Sequence, residues 1–479
     1  MDSTLNAADP SALDPSRAGW TPGREGPTAH GSLYGGLSFW HETVGDLAPR
    51  AALDGDTQAD VAIVGGGLTG LWTAWYLLER DPTLRIVVLE KEIAGFGASG
   101  RNGGWCSALF PRSTASLEKA HGRDAALAMR RAMIETVDEV GRMSKLIPCD
   151  YAKGGTIAYA RSRVQERAAR AEIVEAQRYG VDDLGWRGAD AVHAAGALGA
   201  AFDRNCARIH PAKLVRGLAA ALESRGVRVL EQTEVLRVDP GVVTTTRGLV
   251  RADKIVVATE GYTATLPQSH RRILPLYSLM IATEPLPDTF WDAIGIPHGA
   301  TFTDYRHLLI YGQRTADNRF AFGGRGARYH WGSAIQPQYD RSPRVFEHLR
   351  RALVDLFPSA AEAAVTHRWG GPLGVPRDWH AAVTYDSATR IGRAGGYVGD
   401  GLSTTNLAGR TLADLLTDAD TQLTRLPWVG HHSPSWEPEP LRFLGANAGM
   451  LAMTAADLEE RVTRRPSVIA KVMGPLVGH

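Results

Sequence analysis

The chain has 479 residues, of which 44% are apolar and 22% charged, with a formal net charge of +1. This length suits two or three structural units around a large buried core. The near-neutral charge excludes a global field that would attract nucleic acid or an anionic membrane. No apolar run reaches the roughly 18 residues of a membrane-spanning helix.

Residues 1–30 are rich in Ala, Pro, Gly, Ser and Asp and lack the apolar core of a signal peptide. We therefore expect a disordered tail there. The three cysteines, Cys106, Cys149 and Cys206, form no CxxC pair. This pattern argues against a disulfide framework or a metal site and favours a reducing, cytoplasmic location.

A strand–turn–helix–strand unit is predicted near the start. The β-branched run 60–64 reads as a buried strand and leads into the glycine-rich turn 65–70. Residues 71–80 carry apolar side chains at helical spacing, and 85–89 form a second buried-strand pattern that ends at Glu90. The unit fills the roughly 30 residues of a βαβ crossover.

Gly65, Gly67 and Gly70 occupy the three glycine positions of GxGxxG. The first allows the tight turn, the second lets the backbone approach a pyrophosphate, and the third allows close helix–strand packing. Glu90 follows at the position that accepts hydrogen bonds from a ribose diol and disfavours the 2′-phosphate of NADP. Residues 95–100 also spell GxGxxG, but no buried strand precedes them, so they predict a loop.

Two further glycine-rich segments favour FAD over NAD. The loop 95–104 lies close enough to Glu90 to wrap an extended ligand, with Ser99, Arg101 and Asn102 as polar contacts. Residues 391–416 read as strand, glycine turn and helix, with Ser403, Thr404 and Thr405 as candidate helix caps. A helix N-terminus there would stabilise negative charge on a reduced flavin.

These motifs, GGGLTG with Glu90, GASGRNGG and GDGLSTTNLAGR, resemble the D-amino-acid oxidase and glycine oxidase superfamily of FAD enzymes. Within it the chain is most similar to the γ-glutamylputrescine oxidoreductase-like branch, from about Ser38 onwards. The resemblance implies that 209–218 and 226–235 return to the FAD domain, with Val235 contacting the adenine. It also implies a strand and a turn at 253–262 that approaches the cofactor, and here Glu260 interrupts the family's Ala-Thr-Gly pattern.

Motifs and resemblance together predict non-covalent FAD, since the loop lacks a Ser-His pattern for covalent linkage and 369–417 contains no cysteine. Whether Cys106 links to flavin stays open. The predicted cofactor contacts are Gly65, Gly67, Leu68, Thr69, Gly70, Glu90, Lys91, Ser99, Gly100, Arg101, Asn102, Gly103, Gly104, Val235, Gly401, Leu402, Ser403 and Thr404.

The expected fold is α/β, a discontinuous Rossmann-type FAD domain with an antiparallel-sheet-plus-helix substrate domain. Helical patterns at 116–146 and 164–179, and strand patterns at 277–283, 307–314 and 319–324, mark the substrate domain. The predicted FAD domain comprises 55–110, 205–265 and 380–430. The predicted substrate domain comprises 111–204, which is mainly helical, and 266–379. A closing helical segment is predicted over 431–479.

The predicted activity is removal of hydride from a carbon bearing an amine or amino-acid nitrogen, with oxygen or a quinone as electron acceptor. The cofactor carries this chemistry, so no protein nucleophile is required. An NAD(P)H-dependent flavin monooxygenase, suggested by Gly399-Asp400-Gly401, and a non-catalytic FAD-binding protein remain alternatives. Candidate pocket residues, with Arg325 for a substrate carboxylate or phosphonate, are Trp105, Tyr277, Tyr311, Arg325, Arg328, Tyr329 and His330.

Overall fold

The computed structural model describes residues 33–181 and 183–474. The predicted tail at 1–30 lies outside the described residues, as does the end of the segment 431–479. None of the described helices has the length and apolar character needed to cross a membrane.

The described α-helices run in chain order as follows: α1 Phe39–Glu42, α2 Leu68–Arg80, α3 Thr114–His121, α4 Arg123–Met143, α5 Arg163–Tyr179, α6 Pro211–Ser224, α7 Asp288–Ile294, α8 Pro343–Leu356, α9 Gly401–Leu416, α10 Leu441–Thr463 and α11 Val468–Met473. The described strands are β1 Thr57–Val64, β2 Ile86–Leu89, β3 Trp105–Ser107, β4 Thr156–Ala160, β5 Gly185–Gly188, β6 Gly199–Asp203, β7 Cys206–Arg208, β8 Arg228–Leu230, β9 Val235–Asp239, β10 Val242–Thr245, β11 Gly248–Val257, β12 Leu274–Thr283, β13 Thr301–Asp304, β14 Ile310–Arg314, β15 Phe320–Gly324, β16 Val365–Val375, β17 Ala382–Asp386 and β18 Ile391–Gly395.

The first sheet is the predicted Rossmann-type unit. Its strand order is β17-β18-β11-β1-β2-β8, with β10 paired to β11 and β9 paired to β10. The strands β8, β2, β1, β11 and β18 are mutually parallel, and β17 adds an antiparallel edge. The central strands are buried on both faces, which explains their continuous apolar runs. The predicted α/β fold class is confirmed.

Helices α2 and α9 pack side by side on this sheet. A Cβ on Gly409 would lie 2.6 Å from the Cβ of Trp72, so the small residue in α9 allows the two helices to approach closely. The α2 helix starts at Leu68, three residues before the predicted start, because the glycine turn leads directly into it.

The second sheet forms the substrate domain, with strand order β16-β12-β15-β14-β13-β4-β6-β5. Its neighbours are antiparallel except for β13 and β4. Helix α8 buries Val345, Phe346, Leu349, Leu353 and Leu356 against it, an apolar stripe at helical spacing.

The prediction that 111–204 is mainly helical missed three strands, because β4, β5 and β6 are short and rich in Ala and Gly. The helical pattern predicted over 116–146 forms two helices, α3 and α4. Gly122 has φ +86°, a left-handed conformation that ends α3 and turns the chain into α4.

Candidate functional site

The glycine turn between β1 and α2 is shaped by contacts that exclude any side chain. Gly65 has φ +110°, and a Cβ there would lie 2.5 Å from the carbonyl oxygen of Ala258. A Cβ on Gly70 would overlap the carbonyl oxygen of Gly65. Only glycine therefore lets β1, α2 and the turn after β11 meet at this point.

The N-terminus of α2 lies at this turn. Its N-cap residue, Gly67, makes no side-chain capping bond, and Leu68 N donates to Ser99 Oγ at 2.9 Å. The backbone N–H groups and helix dipole of such a terminus favour a phosphate. The loop carrying Ser99 thus lies beside the predicted pyrophosphate position.

Glu90 ends β2 next to the same turn. Its carboxylate accepts hydrogen bonds from Gly66 N at 2.8 Å and from Glu92 N at 3.0 Å. Burial raises the pKa of the Glu90 carboxyl to about 7, against the opposing effect of these two N–H donors. The neighbouring Lys91 points to solvent and pairs with Glu234 at 2.6 Å, while Val235 begins β9.

A second helix terminus meets the first. Helix α9 begins at Gly401 with Asp400 as N-cap and no side-chain capping bond. Because β1 and β18 are parallel, the helices that follow them have their N-termini at the same sheet edge. A 3.0 Å hydrogen bond between Thr69 Oγ1 and Tyr397 Oη links the two turns.

The predicted helix caps of α9 were wrong. Ser403 Oγ donates to the carbonyl oxygen of Ser107, Thr404 Oγ1 to that of Asp400, and Thr405 Oγ1 to that of Leu402. All three residues lie two to four residues after the first residue of the helix, and their hydroxyls donate to carbonyl groups. The first N–H groups of α9, at Gly401 and Leu402, have no side-chain cap and suit an acceptor at the flavin end of FAD.

The loop from Gly100 to Gly104 is packed as tightly as the first turn. A Cβ on Gly103 would lie 2.6 Å from the Tyr311 ring, and one on Gly104 would overlap the Gln313 amide. Asn102 Oδ1 accepts from Gly104 N at 2.8 Å. Neighbouring side chains therefore leave no room for a Cβ at either glycine.

The Arg101 side chain turns away from the glycine turns. Its guanidinium donates to Asp340 Oδ2 at 2.6 Å, to Phe96 O at 2.6 Å and to Gly370 O at 3.2 Å. It therefore fastens the loop to β16, and any cofactor contact at this position is expected from its backbone.

Glu260 braces the turn that follows β11. It has φ +43°, and its carboxylate accepts from Tyr397 N at 3.2 Å. The side chain points towards Gly374 and away from Gly65, so Ala258 keeps its contact with the glycine turn. The interruption of the Ala-Thr-Gly pattern is therefore accommodated without displacing this turn.

Burial raises the pKa of the Glu260 carboxyl from its ordinary 4.5 to about 7. Between these values the unfolded chain has released the proton while the folded chain retains it, so stability falls as pH rises. We expect this carboxyl to contribute a fall in the free energy of unfolding of the apoprotein between pH 4.5 and pH 7, opposed by buried histidines such as His41, whose pKa burial lowers to about 3. Glu260→Gln should remove the contribution of the carboxyl, on the order of 1–3 kcal/mol, measured by urea unfolding at a series of pH values.

The exposed Glu362 offers the control, since Glu362→Gln should leave the pH dependence unchanged. If the free energy of unfolding changes equally in Glu260→Gln and in the unmodified protein between these pH values, the Glu260 carboxyl does not titrate as described.

Trp105, Tyr311 and Ser278 form an aromatic and hydroxyl cluster beside Gly103. The Trp105 indole donates to Gly312 O at 3.1 Å and meets the Tyr311 ring edge to face at 6.2 Å. Tyr311 Oη and Ser278 Oγ are 2.7 Å apart. The structure thus brings two predicted pocket residues together and adds Ser278, which sequence reasoning missed.

Arg325 lies opposite the start of α9. Its Nη2 donates to Val398 O at 2.8 Å, and its guanidinium lies 5.3 Å from the Trp379 ring centre. Among the described residues no carboxylate lies within ion-pairing distance of it. Burial lowers the pKa of the Arg325 guanidinium and raises that of the Asp400 carboxyl to about 6, while each charge opposes the shift of the other.

The other predicted pocket residues form supporting contacts. Tyr277 and His330 pack with Tyr339, whose ring stacks on His330 at 3.3 Å between centres. Tyr329 is buried and donates to Glu439 Oε1 at 2.7 Å. This bond links the segment after β15 to the C-terminal segment. Arg328 is exposed.

A buried charge network behind the cofactor turn went unpredicted. Glu231 is fully buried and accepts from Arg50 Nη1 at 2.8 Å, Arg216 Nη1 at 3.0 Å and Ala94 N at 2.8 Å. It anchors the segment after β2 on which the glycine loop is built. The position of Glu231 directly after the strand pattern of β8 was the one sequence signal for this network. Its two arginine partners could not be identified from the sequence, because they lie on other segments of the chain.

Cys106 is fully buried in the core that includes Trp72 and Leu407. Burial raises the pKa of its thiol well above the ordinary value, which keeps the sulfur protonated and unreactive. Its environment is that of a packing residue, in agreement with non-covalent FAD.

The residues present therefore fit FAD: two helix N-termini whose own N-cap residues make no side-chain capping bond, a glycine turn that excludes side chains and an acidic residue directly after β2. Comparison with known proteins also indicates an FAD-dependent enzyme. A family model for FAD-dependent oxidoreductases matches residues 60–415. γ-Glutamylputrescine oxidoreductase of Escherichia coli (strain K12) is 32% identical over 418 residues, which cover 82% of this chain and 93% of that protein.

Sarcosine oxidase subunit beta of an Arthrobacter species is 24% identical over 387 residues, 77% of this chain and 89% of that protein. Among solved structures, glycine oxidase from Geobacillus kaustophilus matches with a TM-score of 0.65 and 21% identity, covering 78% of this chain and 99% of that one. The predicted family is confirmed, and the chain belongs to the D-amino-acid oxidase family of FAD-dependent oxidoreductases.

Proposed function

We propose that this enzyme oxidises the C–N bond of a primary or secondary amine or amino acid that also carries an anionic group. The product is an imine, which water hydrolyses to a carbonyl compound and ammonia when the substrate is a primary amine, or a smaller amine when it is a secondary one. Relatives named for γ-glutamylputrescine, sarcosine and glycine support this class, because each of these compounds combines an amine with a carboxylate.

The observation that carries the proposal is the Arg325 guanidinium. It is partly buried, lies beside the N-terminus of α9, and makes one hydrogen bond, to Val398 O, among the described residues. A cation in such a place is costly unless it is paired. A substrate carboxylate would pair with it and would bring the attached carbon towards the flavin end of the site.

FAD, when bound, supplies the hydride acceptor at its N5 atom. The remaining tasks fall to the protein. Uncapped N–H groups of Gly401 and Leu402 would stabilise negative charge at the flavin end. Trp105 and Tyr311 would form an apolar wall that limits water near the reacting carbon. Arg325 would orient the substrate, and no side chain needs to act as nucleophile.

The test is an anaerobic screen for bleaching of the protein-bound flavin by amines, amino acids and 2-hydroxy acids. We expect at least one primary or secondary amine with a carboxylate to bleach the flavin, and no 2-hydroxy acid to do so. Bleaching by NADPH alone would indicate a monooxygenase, and a flavin that no amine reduces would contradict the proposal. Reoxidation by oxygen or by a quinone, followed after bleaching, would identify the electron acceptor.

A further inference from the structure

Helix α10 exposes a regular apolar stripe on the side that faces away from the protein. The large side chains of this stripe are 59–74% exposed, and the two alanines between them are exposed as well. Its residues, which we call the α10 seam, are Leu441, Leu444, Ala448, Leu451, Ala455, Leu458 and Val462. Their spacing alternates between three and four residues over the whole helix, which is the pattern of a helix–helix seam.

The opposite side of α10 is firmly attached. Asn447 Oδ1 accepts from Tyr329 N at 3.2 Å, and the Asp457 carboxylate accepts from His307 N at 2.7 Å and Leu308 N at 3.0 Å. Arg442 is buried and pairs with Glu439 at 3.2 Å. These contacts hold the seam outwards, so it cannot be buried by rotation of the helix.

The seam is large enough for a specific contact. The stated exposures correspond to roughly 600 Å² of apolar surface per copy, or about 1,200 Å² for a pair, which is the lower limit of a stable interface. Val468 and Val472 of the adjacent α11 are 63% and 67% exposed and would add to it. An isolated monomer seldom exposes a continuous apolar patch of this size.

The chemistry of the seam favours a second copy of this chain over other occupants. Helix α10 carries three acidic residues against two arginines, whereas a helix that binds an anionic membrane carries a basic polar face. The chain before Leu33 contains few large apolar residues and no repeat at this spacing, so it offers no matching stripe. No charged residue lies within the seam, so self-pairing brings no like charges together.

We propose that the α10 seams of two copies pack antiparallel about a two-fold axis midway between Leu451 and Ala455 and form a dimer. In this register Ala455 of one helix faces Leu451 of the other and Ala448 faces Leu458, so large and small side chains interlock. A parallel pair would place Ala448 against Ala448 and leave gaps. A two-fold axis makes the contact self-complementary and closed at two copies.

The test compares the FAD-loaded full chain with its Leu451→Glu variant by sedimentation over a range of concentrations. We expect a concentration-dependent dimer of the 51.6 kDa chain, and a dissociation constant at least about 100-fold higher in Leu451→Glu, because two carboxylates would be buried at the axis. Val174→Glu is the matched control, since Val174 is a 64% exposed apolar residue on α5. Its dimer should be unchanged.

Crosslinking determines the orientation, because the three native cysteines are buried and do not interfere. A short bis-maleimide should link two copies of Leu451→Cys but not of Leu441→Cys, whose positions would be about 25 Å or more apart along an antiparallel pair. Equal linkage of both variants would indicate a parallel pair and overturn the proposal.

Two other results would also overturn it: a chain that is monomeric at all concentrations, or a dimer that Leu451→Glu leaves intact. Vesicles of phosphatidylglycerol and phosphatidylethanolamine test the membrane alternative. Sedimentation of monomeric protein with these vesicles, lost in Leu451→Glu, would assign the seam to a membrane surface instead.

Discussion

Replacing Arg325 by methionine is expected to lower kcat/KM for the amine substrate by about 1,000-fold, or ~4 kcal/mol. The variant keeps most of the side-chain volume but removes the cation that would pair with the substrate carboxylate. The loss should be largest in KM and in substrate dissociation constants, since the contact exists before hydride transfer. Anaerobic stopped-flow reduction of the flavin measures both quantities.

Arg328→Met is the matched control for this experiment. Arg328 lies three residues along the same segment but is exposed, so its loss should change kcat/KM by less than about twofold. Because Arg325 also bonds Val398 O, a purely structural role must be tested. If Arg325 binds the substrate carboxylate, an amine analogue without the carboxylate should react equally with the unmodified protein and with Arg325→Met. An equal loss of kcat/KM in Arg325→Met for the substrate and for this analogue would contradict that role.

Gly65→Ala is expected to weaken FAD binding by about 100-fold, or roughly 3 kcal/mol. An added Cβ would lie 2.5 Å from Ala258 O, and the φ of +110° is strained for any residue with a side chain. The β1–α2 turn must therefore move away from β11, which displaces the N–H groups that would hold the pyrophosphate. The flavin-to-protein absorbance ratio after purification, and the dissociation constant on reconstitution of apoprotein, measure the effect.

Gly36→Ala provides the comparison, because a Cβ at Gly36 meets no atom within 4 Å. It should bind FAD like the unmodified protein. Circular dichroism of the Gly65→Ala apoprotein separates loss of the cofactor from loss of the fold. A folded Gly65→Ala protein that purifies with full flavin would show that this turn tolerates a side chain and does not contact the cofactor as proposed.

The cofactor side of the site was largely predictable from sequence because its parts are local. The β1 strand, the Gly65–Gly70 turn, α2 and Glu90 follow one another within about 30 residues, and the conformation of each depends mainly on its chain neighbours. The wrong prediction of helix caps at Ser403 and Thr404 arose because it relied on local residue type alone. Residue type indicated caps, whereas the Ser403 hydroxyl instead bonds the carbonyl oxygen of Ser107, which lies 296 residues earlier in the chain.

The substrate side was decided by the tertiary structure. Arg325, Val398 and Trp379 lie on three separate segments, and only the packing of the second sheet over the first sheet's edge brings them together. Of the candidate aromatic residues, Trp105 and Tyr311 meet beside the cofactor loop while Tyr329 turns to Glu439. The sequence by itself determined the family, the cofactor and the glycine turns, since these follow from short-range backbone constraints. Which polar side chains face the substrate depends on contacts between segments far apart in the chain, whose directions no local pattern encodes.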